Sequence, residues 1–388
     1  MHIVENTPAH EVGLSPSGLE QATALLSAAV RAGFIPGLVT AIYRYGKLVR
    51  VGFAGARDPD DPASPMERDT IFLIASLTKP VVCAGALLLL QEGAFALDQP
   101  LSLFIPEFGG HGKESVLIRH LFTHTSGLYD QLPESPQLRG RQAPLRDFVQ
   151  AVCQSELLFP PGTRVSYQSM GILMLGELVE RLTAMRLRDY LHDRIFAPLG
   201  MRDTTLGMPP SGMARAAYSL PPEMPPGRRD VFSDWNTPYW RDAGAPWGGL
   251  HSTVEDLGRF LMHVLGESDG PLSPALRAAM TTDQIAPMPG ISPEQKLTDR
   301  WGLGWSLGNK AFGDLVSRAT FGHLGATGAI YWADPCARLA CVLLTNQPAL
   351  LRSAPRERDS LAVRYGNALA VADLRHAANR AGNCAQGS

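Results

Sequence analysis

The chain has 388 residues, 45% of them hydrophobic and 19% charged, with a formal net charge of -2. That length buries a large core and holds two structural regions, or one domain with a big insertion. The balance is that of a globular enzyme and gives no electrostatic case for nucleic acid or an anionic membrane surface. No apolar run reaches the length of a membrane-spanning helix. The start, Met1-His2-Ile3-Val4-Glu5-Asn6, has neither the basic residues nor the apolar core of a signal peptide. The five cysteines, at 83, 153, 336, 341 and 384, show no Cys-x-x-Cys spacing. An odd, scattered set is expected as reduced thiols in the cytoplasm. Cys336 and Cys341 could meet across a hairpin, with unpaired burial the preferred reading.

In chain order, Ser15-Pro16 starts a helix whose apolar pattern runs from Leu19 to Ala32 and stops at Gly33. Two strands follow, Gly37 to Arg44 and Leu48 to Ala54, joined by a tight Tyr45-Gly46 turn. After an Asp/Pro-rich loop comes Ile71-Phe72-Leu73-Ile74-Ala75-Ser76-Leu77-Thr78-Lys79-Pro80, then a helix that is apolar almost all round to Leu90. Further helices are expected over Leu145 to Leu157, after Ser169 to Leu182, and over Leu187 to Phe196. Pro209 to Pro246, rich in Pro, Gly and aromatics, reads as long loops walling a pocket. Ser252-Thr253-Val254-Glu255 reads as a capping box opening a helix to Leu265. Trp301 to Gly308 alternates like a strand, Gly328 to Ala333 and Arg338 to Thr345 form a hairpin, and a helix over Glu357 to Ala378 ends the chain. The expected fold is α/β: an antiparallel sheet built from both chain ends and flanked by helices. Residues 1–90 and 300–388 would carry the sheet, and 91–299 would form a helical, loop-rich insertion within one catalytic unit.

Ser76 and Lys79 are spaced i, i+3 and so share one face of a helical turn. A serine hydroxyl needs a group to take its proton, and a lysine amine does so once burial lowers its pKa. A lysine in the first turn of a buried helix is otherwise out of place. Two other patterns compete. His120 and His124 are i, i+4, but the glutamate of His-Glu-x-x-His is missing and no third ligand is evident, so capping of a helix end and its turn is the better reading. Gly304-Trp305-Ser306-Leu307-Gly308 matches a nucleophile elbow, yet it sits in an alternating strand with no helix after it, and His323 follows too closely. Ser306 is therefore read as structural.

Five stretches together resemble the serine β-lactamase-related superfamily. They are Ser76-x-x-Lys79, Arg119-His120-Leu121-Phe122-Thr123-His124-Thr125-Ser126-Gly127-Leu128, Phe159-Pro160-Pro161-Gly162-Thr163 with Tyr167, Gly248-Gly249-Leu250-x-Ser252-Thr253, and Gly322-His323-Leu324-Gly325. The nearest branches are class C β-lactamases, family VIII carboxylesterases and D-aminopeptidases, with penicillin-binding proteins as relatives. The resemblance spans Ser15 to Asn346 and implies a β-lactamase/transpeptidase-like fold and a serine hydrolase without metal or cofactor. Carried over by residue, Ser76 is the nucleophile of an acyl-enzyme, Lys79 shuttles its proton, and Tyr167 is general base and then general acid. Which of Lys79 and Tyr167 takes the first proton stays open. The backbone N–H groups of Ser76 and Ala326 form the oxyanion hole. Ser169, His323, Leu324 and Gly325 line the substrate.

Two departures separate the branches. Tyr167-Gln168-Ser169 stands where β-lactamases and peptidases have Tyr-x-Asn, and Ser169 offers a hydroxyl in place of an amide. His323-Leu324-Gly325 stands where class C enzymes have Lys-Thr-Gly, and a mostly neutral histidine removes the fixed positive charge. Both changes favour neutral acyl substrates, hence hydrolysis of short-chain carboxylic esters in the cytoplasm. The alternatives are a β-lactamase, a D-amino acid amidase or peptidase, an acyltransferase to an alcohol, and a catalytically silent binding homologue. The partner is a small-molecule ester or amide; the oligomeric state is not written in the sequence.

Overall fold

The computed structural model describes residues 1–220, 235–347 and 356–374. Its strands are β1 (His2–Glu5), β2 (Gly37–Arg44), β3 (Lys47–Asp58), β4 (Asp61–Pro65), β5 (Phe72–Leu73), β6 (Thr205–Leu206), β7 (Leu250–Ser252), β8 (Ser306–Leu307), β9 (Phe321–Leu324), β10 (Ile330–Asp334) and β11 (Leu339–Thr345). The helices that matter most here are α1 (Pro16–Arg31), α2 (Thr78–Gln91), α3 (Met170–Thr183), α4 (Val254–Leu265) and α5 (Arg356–Val371). One large antiparallel sheet runs β1-β3-β2-β11-β10-β9-β8, with β4 paired to β3. Strands from the two chain ends therefore meet at the β2–β11 pair, and the expected α/β class with helices flanking an antiparallel sheet is what the chain adopts.

The sheet is covered on both faces, which is why β2 is buried at every residue. Leu38 and Ile42 pack with Leu19 and Leu26 of α1 and Tyr365 and Leu369 of α5. Val39, Ala41 and Tyr43 point the other way, into the core that contains α2 and α3. The period-two alternation of a strand thus feeds two separate apolar layers. α2 is buried from Thr78 to Leu89, so its all-round apolar character is met by contacts on every side.

Several expectations are refined. β1 lay in an opening stretch with no apolar alternation, and it is held by pairing with β3. A small second sheet, β5-β7-β6, joins the segment before Ser76 to the middle of the chain. The strand expected over Trp301–Gly308 shrinks to β8, because Gly304 and Gly308 take left-handed φ values of 94° and 59°. The N-cap of α4 is Thr253, whose hydroxyl accepts from Asp256 N–H at 3.3 Å, so the cap falls one residue after the expected Ser252. Cys341 pairs with Trp332 across the β10–β11 hairpin. Cys336 is disulfide-bonded, while Cys83, Cys153 and Cys341 are free and buried. The expectation of five reduced thiols fails at Cys336, and the cytoplasmic reading loses that support. Residues 221–234 of the expected pocket wall and 375–378 of the expected last helix lie outside the described residues. Among the described residues, no helix is long and apolar enough to cross a membrane.

Candidate active site

Ser76 sits on a bend that the surrounding chain holds from three directions. The chain leaves β5, turns through Ala75 at φ 47°, makes a single 3-10 turn over Ala75–Leu77, and enters α2. A left-handed alanine costs about 1 kcal/mol, so tertiary contacts must hold it. Ile74 N–H donates to Leu250 O at 3.0 Å, and Leu250 N–H donates back to Thr78 Oγ1 at 3.1 Å. Thr78 Oγ1 donates to Ala75 O at 2.6 Å, and Tyr331 OH donates to Leu77 O at 2.9 Å. The Gly248-Gly249-Leu250 stretch is therefore the brace of the bend. A side chain at Gly249 would meet Ala245 N at 2.4 Å.

Lys79 follows one turn later, with Pro80 in the first turn of α2 where a missing N–H does no harm. Its Nζ lies 2.9 Å from Ser76 Oγ and donates to Trp247 O, also at 2.9 Å. The side chain is only 1% exposed. Burial lowers its pKa to about 7 against an opposing pull from Asp130. From a normal 10.5, that is a penalty on the order of 5 kcal/mol on the charged amine. A neutral amine beside a serine hydroxyl at neutral pH is the arrangement that proton abstraction requires.

Tyr167 lies just before α3, 36% exposed, with Lys79 Nζ 4.7 Å from its ring centroid. Its neighbours in sequence point inward. Gln168 is fully buried, donating to His120 O at 3.0 Å and accepting from Ser126 Oγ. Ser169 donates to Asp130 Oδ1 at 2.6 Å. Tyr167 thus faces the site while the next two residues anchor it. His120 and His124 each use Nδ1 to accept a backbone N–H, from Leu117 at 3.2 Å and from Gln168 at 3.3 Å, which agrees with local capping of helix and turn.

β9 brings His323 beside Tyr167 and Trp301, with ring centroids 5.9 Å and 5.8 Å away. Its Nδ1–H donates to Leu324 O at 2.8 Å, and burial, followed by Lys79, lowers its pKa to about 3. It is neutral at pH 7, as the sequence suggested. β9 ends at Leu324, and Gly325 to Gly328 form a tight turn, with Gly328 N–H donating to Gly325 O at 2.9 Å. Ala326 is exposed on that turn. Thr327 Oγ1 donates to Leu73 O at 2.9 Å, tying the turn to the chain just before Ser76. A Cβ at Gly325 would lie 2.5 Å from Ile74 O, so the approach requires glycine.

Ser306 has different company. It lies in β8, paired to Gly322, and its hydroxyl accepts from Asn309 Nδ2 at 3.3 Å. Gly304 of the same motif packs on α2, where a Cβ would lie 2.7 Å from Cys83 Cβ. The glycines of this pattern thus serve a close strand–helix contact and tight turning.

Four residues near Ser76, Lys79 and Tyr167 had no chemical role assigned from sequence. The Trp247 carbonyl is a backbone acceptor, which no residue type announces. Trp301 stacks edge-on against His124 at 4.3 Å and lies 6.0 Å from Tyr167. His124 was read only as a capping side chain, and Asp130 stands two residues beyond a recognisable stretch. The Tyr-x-x spacing was the available clue to Asp130, since a serine replacing asparagine leaves a hydroxyl needing an acceptor.

The Beta-lactamase family model matches residues 22–365. Among curated relatives, the chain is 33% identical over 358 residues to Protein Rv1367c of Mycobacterium tuberculosis, covering 81% of this chain and 86% of that one. It is 28% identical over 362 residues to Esterase EstB of Burkholderia gladioli, covering 83% and 89%. Among solved structures, EstCE1, described as a hydrolase with promiscuous acyltransferase activity, superposes with a TM-score of 0.73 at 21% identity, over 92% of this chain and 98% of the other. A family match over most of the chain, on this fold, makes the protein a member of the Beta-lactamase family and a serine hydrolase.

Proposed function

We propose that the protein cleaves short-chain carboxylic esters through an acyl-enzyme on Ser76. The observation that carries this reading is the 2.9 Å contact between Ser76 Oγ and a fully buried Lys79 whose pKa is about 7. Neutral Lys79 takes the Ser76 proton as Oγ attacks the ester carbonyl, and Tyr167 delivers a proton to the departing alkoxide. Water then reverses the sequence on the acyl-enzyme. The backbone N–H groups of Ser76 and Ala326 receive the oxyanion. Two facts support this pair: the first turn bond before α2 runs from Leu77 N–H to Ile74 O, leaving Ser76 ahead of the ladder, and Thr327 ties the Ala326 turn to Leu73.

Ester preference is supported by the polar groups around the acyl position. The Ser169 hydrogen goes to Asp130, so no amide-like donor faces the substrate there. His323 is uncharged, so nothing at that position rewards a substrate carboxylate. Leu324, expected at the substrate, packs instead against the layer of α1 and α5, and Gly325 closes tightly on Ile74, so neither adds a polar side chain to the site. The likeness to an esterase points the same way. Turnover of p-nitrophenyl acetate, butyrate and octanoate, set beside nitrocefin and a D-alanyl p-nitroanilide, tests the reading. The short esters should dominate by kcat/KM, and nitrocefin turnover far above theirs would overturn the preference.

A further inference from the structure

We infer that His124 is the positioning residue of Tyr167, holding the chain on both sides of it; this rests on the proposed role of Tyr167. The peptide before the tyrosine is fixed by Ser166 N–H donating to His124 O at 2.8 Å. The peptide after it is fixed by Gln168 N–H donating to His124 Nδ1 at 3.3 Å. One residue therefore satisfies the two backbone donors that flank the proposed acid–base group. The His124 ring also packs against the Tyr167 ring, with centroids 4.7 Å apart, and edge-on against Trp301 at 4.3 Å. The two backbone bonds and the ring contact all come from His124, one through its carbonyl and the others through its ring.

His124 is held in an unfavourable state to do this. Its φ is 59°, in the left-handed region that most side chains avoid, and it is 1% exposed. Nδ1 accepts a hydrogen, so the neutral ring carries its proton on Nε2. That Nε2–H is buried with no acceptor among the described residues. Burial, then Lys79 and His323, keeps the ring neutral by pushing its pKa well below the ordinary value. Neutrality preserves the Nδ1 lone pair on which the clamp depends. His323, beside the same Tyr167 and Trp301 rings, shows the complementary pattern, an Nε2 acceptor that is also buried and has no partner among the described residues.

Two variants separate positioning from packing. His124→Leu keeps bulk but removes the acceptor at Nδ1. His124→Asn returns an oxygen close to the Nδ1 position, and asparagine tolerates left-handed backbone. Rates are normalised to the fraction of sites titrated by a fluorophosphonate, so that unfolded protein does not count. His124→Leu should lose between about 10- and 100-fold in kcat with KM changed less than about threefold, the signature of a misplaced reacting group. His124→Asn should recover kcat to within about fivefold of the parent. Wild-type kcat per titrated site in His124→Leu, or equal losses in both variants, would overturn the inference. Tyr167→Phe run alongside distinguishes the failures. If it is disabled while His124→Leu is not, only the positioning role falls; if it keeps full kcat, the acid–base role falls and takes this inference with it.

Discussion

Ser76 and Ser306 both sit in stretches that look like nucleophile motifs, and the surroundings of the two separate them. Around Ser76 the chain accepts a left-handed alanine, a buried lysine and a set of crossing hydrogen bonds from Leu250, Thr78 and Tyr331. Around Ser306 the glycines relieve crowding against α2, and the hydroxyl meets one amide. The first region bears energetic cost at the residues that would react; in the second, each unusual residue lowers the cost of packing. A short motif acquires chemical meaning from what is buried beside it, and here that is Lys79.

The largest expected effect comes from removing the first hydroxyl. Ser76→Ala should lower kcat by at least about 10⁴-fold while leaving the melting temperature near the parent value. A loss much smaller than that would place the nucleophile elsewhere. Next is the pH dependence that Lys79 confers. Its lowered pKa, about 7, means the neutral amine is lost as pH falls, so kcat/KM should drop about tenfold per unit below 7 and level off above. Asp130 favours the charged amine, so Asp130→Asn should move this acid limb to lower pH; movement upward would contradict the stated electrostatics.

Smaller effects belong to the Ser306 region and fall on stability. Gly304→Ala puts a Cβ against Cys83 at a positive φ and should cost about 2 to 3 kcal/mol of unfolding free energy by denaturant titration. Ser306→Ala removes one long hydrogen bond and should cost about 1 kcal/mol or less, with kcat within about twofold of the parent. A tenfold loss of kcat in Ser306→Ala would dissolve the contrast between the two serines.

Much of this is legible in the sequence itself. The apolar run behind Ser76-x-x-Lys79 foretold a buried helix, and burial foretold the shifted lysine. The largely apolar run of Gly37 to Arg44 stands as β2, since burial on both faces favours apolar residues at nearly every position, and the β10–β11 hairpin falls within two residues of its expected ends. Tyr167 was reached through family resemblance, because its partners come from chain segments far away in sequence. The illegible parts depend on backbone. Trp247 contributes a carbonyl, His124 works from a left-handed turn, and the Trp301–Gly308 alternation was cut short by glycine geometry. Residue identity carries little information about any of these.

The serine that forms the covalent bond decides between the two regions. Incubation with a fluorophosphonate, digestion and mass spectrometry of the peptides reads this directly. The adduct should appear on the peptide carrying Ser76, should be absent in Ser76→Ala, and should persist in Ser306→Ala. An adduct on Ser306, or undiminished labelling in Ser76→Ala, would contradict the account.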